Sequence, residues 1–114
     1  MKLHSAVFYS KDLEPLISFY TDFLGATIEN KQENRFMYIR LPDSSRIGIK
    51  VGTKEREVPG YQTVFVDVKD MESWYNKAVS LSLTIYKHLK EEPWGKEFSV
   101  LDPDGNKIVF YEEK

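Results

Sequence analysis

The chain has 114 residues, 41% hydrophobic and 14% aromatic, with 16 Lys and Arg against 18 Asp and Glu and no cysteine. That composition argues against a disordered chain and against a strong nucleic-acid binder. The lack of thiols excludes disulfides, cysteine zinc sites and thiolate nucleophiles.

Residues 3–9 are short, apolar and partly aromatic, which predicts a strand. Asp12 is a candidate N-cap for a helix carrying Leu13, Leu16, Ile17, Tyr20, Phe23 and Leu24 on one stripe. Pro15 is tolerated in the first turn, and Gly25 stops the helix. A second strand begins over residues 27–30. A third covers 35–41, with Phe36, Tyr38 and Arg40 alternating against Met37, Ile39 and Leu41. A Pro-Asp-Ser-Ser turn and a fourth strand over 46–51 follow. Residues 52–60 are charged and end in Pro-Gly, the best linker candidate.

The pattern then restarts. Residues 62–68 read as a strand, and Asp70 as the cap of a helix with the stripe Met71, Trp74, Tyr75, Ala78 and Val79. Trp74 is read as core or as a dimer contact. Residues 83–88 are a strand, Glu91-Glu92 a charged loop, and 98–101 and 107–112 the arms of a hairpin around Asp102-Pro103-Asp104-Gly105-Asn106. Glu112 and Glu113 read as a solvated tail. Lys11-Asp12-Leu13-Glu14 echoes Lys69-Asp70-Met71-Glu72, and Thr27-Ile28 echoes Thr84-Ile85, in keeping with an internal duplication.

Two motifs carry a family resemblance. One is Phe19-Tyr20-Thr21-Asp22-Phe23-Leu24-Gly25. The other is Pro93-Trp94-Gly95, then Phe98, then the Asp-Pro-Asp-Gly-Asn turn. With them the chain resembles the vicinal oxygen chelate superfamily of glyoxalases, bleomycin-resistance proteins and extradiol dioxygenases. Neither motif is chemical; one ends a helix and the other makes a turn. The resemblance implies an α+β fold of two βαβββ modules forming a curved, partly open barrel around a cavity. It implies one glyoxalase-like domain over 1–114, with modules at about 1–53 and 61–114 and a linker at about 52–60. It also implies a homodimer.

Metal-dependent relatives place His, Gln or Glu at four cavity positions. Carried onto this chain, those positions fall on Ser5, on Ile49 or Gly48, on Thr63 and on Val109. Ser, Ile, Thr and Val make no divalent-cation site. The chain has only two histidines, His4 and His88. His4 is one residue from a ligand position, and one step along a strand turns a side chain to the other face. It is therefore expected beside Ala6 and Phe8, packed or solvated, unless a bulge shifts it together with Gln62. His88, between Lys87 and Lys90, is expected to be solvated. No acid–base pair is apparent, so catalytic residues stay unassigned.

Strand parity then gives an inward set of Ser5, Val7, Tyr9, Ile49, Thr63, Phe65, Glu97, Ser99, Val109 and Tyr111. Tyr38 belongs to the expected ligand contacts, while the faces of Phe36 and Tyr86 stay open, and Trp94 is a lid or an edge plug. Such a wall suits a planar or amphipathic molecule. The expected function is metal-free small-molecule binding with no cofactor; the alternative is a metal-dependent glyoxalase-like lyase or a dioxygenase. A cytoplasmic setting is expected from the lack of cysteine, no nucleic-acid partner from the interspersed charges, and no membrane partner because no apolar run spans a bilayer and no signal-peptide pattern opens the chain.

Overall fold

The computed structural model describes residues 1–114. The chain divides into two compact units, Met1–Gly60 and Tyr61–Lys114. Each holds a four-stranded mixed, open sheet and helical structure, an α+β arrangement of two modules.

In the first unit, β1 (Ala6–Ser10) leads into α1 (Glu14–Ser18), a π-helical turn (Phe19–Phe23), β2 (Thr27–Gln32), β3 (Phe36–Arg40) and β4 (Arg46–Val51). The sheet order is β1-β4-β3-β2. β1 and β4 run parallel, and the other pairs are antiparallel. One crossover therefore carries the chain across the sheet, and two hairpins bring it back beside β1. The helix expected as one regular segment changes pitch at Phe19. Thr21 Oγ1 donates to the Ile17 carbonyl at 2.8 Å, and such back-bonding loosens the regular ladder. Asp12 Oδ1 accepts the Glu14 N–H at 3.2 Å, one position before the N-cap. Gly25, at φ 69°, ends the segment in the left-handed region, where a glycine is unstrained. Leu13, Leu16, Tyr20 and Phe23 are buried, as are Phe8, Met37, Ile39, Ile47 and Ile49 of the sheet.

Residues 52–60 are not a free tether. Glu57 accepts from Lys50 Nζ, from the Thr53 N–H at 3.0 Å and from Thr53 Oγ1 at 3.2 Å. These contacts fold the segment back onto the end of β4.

In the second unit, β5 (Thr63–Asp67), α2 (Met71–Ser80), β6 (Thr84–Glu92), β7 (Gly95–Leu101) and β8 (Lys107–Glu113) give the order β5-β8-β7-β6. α2 packs on β6, β7 and β8. Phe98 and Phe110 stack at 4.7 Å between ring centroids, beneath Trp74 and Tyr75. Met71 and Ala78 are buried on the same helix, whereas Val79, expected on the stripe, is exposed. Trp74 thus lies against Phe110, with ring centroids 5.4 Å apart.

Two expectations at the ends of these elements are corrected. Asp70 makes no side-chain cap to α2. The Met71 N–H is taken instead by Glu112 Oε1 at 3.1 Å, so the supposed tail residue is a cap delivered from β8. Glu91 and Glu92 are not a loop: they pair with Lys96 and Gly95 at the end of a long β6–β7 hairpin.

The Asp-Pro-Asp-Gly-Asn turn is a buried polar clamp. Asp102 Oδ1 accepts the N–H groups of Asp104 and Asn106, both at 2.9 Å. Asn106 Oδ1 accepts the Gln62 N–H at 3.2 Å, which ties the turn to the start of β5. No helix is long and apolar enough to cross a membrane.

Candidate ligand-binding faces

Each sheet has a helix-covered face and an opposite face carrying polar and aromatic side chains. In the first unit, cross-strand pairing puts Val7 beside Gly48 and Tyr38, and Tyr9 beside Lys50 and Phe36. Paired residues share a face, so Val7, Tyr9, Phe36, Tyr38, Arg40 and Arg46 lie on one side.

Ile49 does not join them, which corrects its place in the inward set. It pairs with Phe8 and Met37 and is fully buried on the helix side. Gly48 holds the open-face position. A Cβ there would approach the Phe36 ring to 3.1 Å and the Tyr38 ring to 3.4 Å. The missing side chain lets both rings lie over β4, edge to face at 4.8 Å.

Ser5 precedes β1 rather than belonging to it, and is half-buried. Its neighbour His4 is the larger correction. Strand alternation stops at Ala6, so His4 does not follow Phe8 to the helix side. Its Nε2 lies 2.9 Å from Arg46 Nη2 and its ring 5.8 Å from that of Tyr38, both open-face residues. Arginine can only donate, so Nε2 accepts and the imidazole proton sits on Nδ1, 3.2 Å from Ser5 Oγ.

In the second unit, Leu101 pairs with Lys107, Ser99 with Val109 and Glu97 with Tyr111. β5 adds Thr63 beside Lys107 and Phe65 beside Val109. Thr63, Phe65, Glu97, Ser99, Val109 and Tyr111 therefore share the open face. Ser99 and Val109 are buried at its centre, and Phe65 is 67% exposed at its edge. Trp94 occupies the tip of the β6–β7 hairpin and stacks on Tyr111 at 5.2 Å. Tyr86, at a bulge in β6, takes Lys107 Nζ over its ring at 4.6 Å. His88 faces the other way, with Nδ1 2.7 Å from the Tyr75 hydroxyl.

These residues do not fit a metal ion. No group of three or more His, Cys, Asp or Glu side chains converges to hold one. The four carried-over positions supply Ser5, Gly48, Thr63 and Val109, and the one nearby imidazole already accepts from Arg46. That set offers neither a carboxylate nor a free ring nitrogen.

Two acids beside the first open face, Glu29 and Asp43, were not among the expected site residues. Arg40 Nε donates to Glu29 Oε2 at 2.7 Å, and this hydrogen bond holds the Glu29 carboxyl below its ordinary range. Asp43 is likewise lowered, first by the Ser45 hydroxyl at 2.6 Å. Alternation on β3 placed Arg40 with Tyr38, but nothing local to the sequence marks Arg46 as the residue that meets His4.

The model of the Glyoxalase/Bleomycin resistance protein/Dioxygenase superfamily matches residues 2–110. The chain belongs to this superfamily. Among solved structures it is similar to TnmS3, an antibiotic binding protein from Streptomyces sp. CB03234, at 18% identity and TM-score 0.87, covering 100% of this chain and 97% of that one. A superfamily member from Sphaerobacter thermophilus is similar at 23% identity and TM-score 0.83, with 99% and 98% covered. The lactoylglutathione lyase of Agrobacterium tumefaciens is similar at 16% identity and TM-score 0.80, with 97% and 92% covered. At these identities the likeness shows the fold. No curated protein matches the chain.

Proposed function

We propose that this superfamily member is a metal-free small-molecule-binding protein that holds an aromatic or amphipathic ligand against the open sheet faces. One observation carries the reading. Where metal-dependent relatives would need carboxylates and imidazoles stand Ser5, Gly48, Thr63 and Val109, and aromatic rings surround these positions on the open faces. Phe65 and Tyr86 are 67% and 61% exposed, an unusual cost for large rings unless something covers them. The contacts would be Ser5, Val7, Tyr9 and Tyr38 in the first unit and Thr63, Phe65, Trp94, Ser99, Val109 and Tyr111 in the second. That an antibiotic binding protein has a similar fold supports the reading, since this fold can bind a small molecule. On the same reading the two units act as one domain, and the chain works as a homodimer in the cytoplasm.

The test is metal content by inductively coupled plasma mass spectrometry after dialysis against Ni, Zn, Mn and Fe(II), with binding of the neutral dye Nile red measured alongside. The expected result is no retained metal and saturable dye uptake that Thr63→Trp weakens. Stoichiometric metal that is lost in His4→Ala would overturn the reading in favour of a lyase or dioxygenase.

A further inference from the structure

A cleft of about 630 Å³ opens in the first unit, between the residues before β1 and the β3–β4 turn. Lys2, His4, Ser5, Arg40, Asp43 and Arg46 line it, with Leu3 and the turn serines. The volume is that of a small-molecule site.

Its charge is unbalanced. Arg40 and Arg46 are directly opposite each other on β3 and β4. Like charges in that relation destabilise a sheet unless they are neutralised. Glu29 neutralises Arg40. Asp43, with one carboxylate oxygen on the N–H and hydroxyl of Ser45, keeps its negative charge and offsets one further cation of the lining. Arg46 makes no ion pair, and Glu29, already bound to Arg40, is the acid that feels its charge. Lys2 adds a second positive charge with no ion pair. The chain as a whole is net negative, at -2, so this local excess is not a by-product of composition.

The Arg46 guanidinium is also held in place. It lies over the Tyr38 ring at 4.9 Å and donates through Nη2 to His4. His4 in turn directs its Nδ1 proton at Ser5 Oγ, which leaves the Ser5 hydroxyl proton to point elsewhere. A planar cation fixed on an aromatic face, with a hydroxyl donor beside it, matches an oxyanion in shape and charge. Fixing these donors in advance lowers the ordering cost of binding.

We infer that this cleft binds the carboxylate or phosphate group of a small anionic molecule, with Arg46 as the anchoring cation and Lys2 and Ser5 as supporting donors. The inference goes beyond the open-face reading and does not depend on it.

Two-dimensional amide NMR of the full chain tests it, with benzoate, phenyl phosphate and the neutral benzyl alcohol as probes. Both anions are expected to shift the Ser5 and Arg46 amides saturably, and benzyl alcohol is not. Arg46→Met should weaken anion binding at least tenfold. Whichever anion binds more tightly names the group, and either order supports the site. If Arg46→Met disturbs the fold, Lys2→Ala, outside every strand, should still weaken binding severalfold. No saturable shift at these amides, or equal affinity in the variants, overturns the inference. Nile red separates the two readings. Dye uptake without anion binding sinks the cleft alone, and anion binding without dye uptake sinks the open-face reading alone.

Discussion

Glu57 holds the segment after β4 in place through a single carboxylate. The Lys50 ammonium, then the Thr53 N–H, hold its pKa at about 2, against an ordinary 4.5. A depressed carboxyl stabilises the fold above its unfolded pKa and loses that contribution as pH falls. The melting temperature should therefore drop as pH is lowered from about 4.5 towards 2, and Glu57→Gln should flatten that part of the curve. Thermal melts of both proteins across this window check it. A second residue-scale prediction concerns the cap of α2. Glu112→Ala should destabilise by about 1 kcal/mol, the usual worth of a cap. Asp70→Ala should cost much less in denaturant titrations, since Asp70 makes no cap bond. Asp70 reads as a cap because it precedes the helical stripe, yet its side chain makes no cap bond. Glu112 does not, because it lies 41 residues from the N–H that it accepts.

The Asp-Pro-Asp-Gly-Asn turn does more than reverse the chain. Asp102 is 4% exposed and Asn106 is fully buried. Their hydrogen bonds join the β7–β8 hairpin to the residue before β5, and a parallel pair needs such an anchor because no tight turn connects it. Asp102→Ala would strand the Asp104 and Asn106 N–H groups. The expected loss is about 1–3 kcal/mol, larger if both stay unpaired. Chemical denaturation measures it, and an unchanged midpoint would mean that water replaces the carboxylate. Element types and order were readable from the hydrophobic period and the turn residues. Element ends were less so. The β6–β7 hairpin runs on through Glu91 and Glu92 because main-chain pairing continues where side-chain hydrophobicity has stopped. β1 starts late for the converse reason, since Leu3, His4 and Ser5 have the look of a strand but no paired partner.

Across the whole chain, buried and exposed aromatics divide by sheet face. Phe98 and Phe110 lie beneath α2, and Phe65 and Tyr86 stand on the open side. Phe110→Ala should cost about 3–5 kcal/mol, as a large buried ring does. Phe65→Ser should stay within about 0.5 kcal/mol of the parent, as exposed positions do. If the open face is the binding surface, the same Phe65→Ser should lower Nile red affinity while leaving the melt unchanged. The α+β class, the repeated βαβββ order and the superfamily were readable from the residues alone. Those depend on period, turn chemistry and motif, which are local. Tertiary structure decided that Gly48 rather than Ile49 stands on the open face, that His4 meets Arg46, and that two arginines confront each other across β3 and β4. Strand parity propagates only within a continuous, unbulged strand, and a one-residue difference in register or in strand start reverses a face. Which strand end stops where, and which charge goes unpaired, is settled by contacts between residues far apart in the chain.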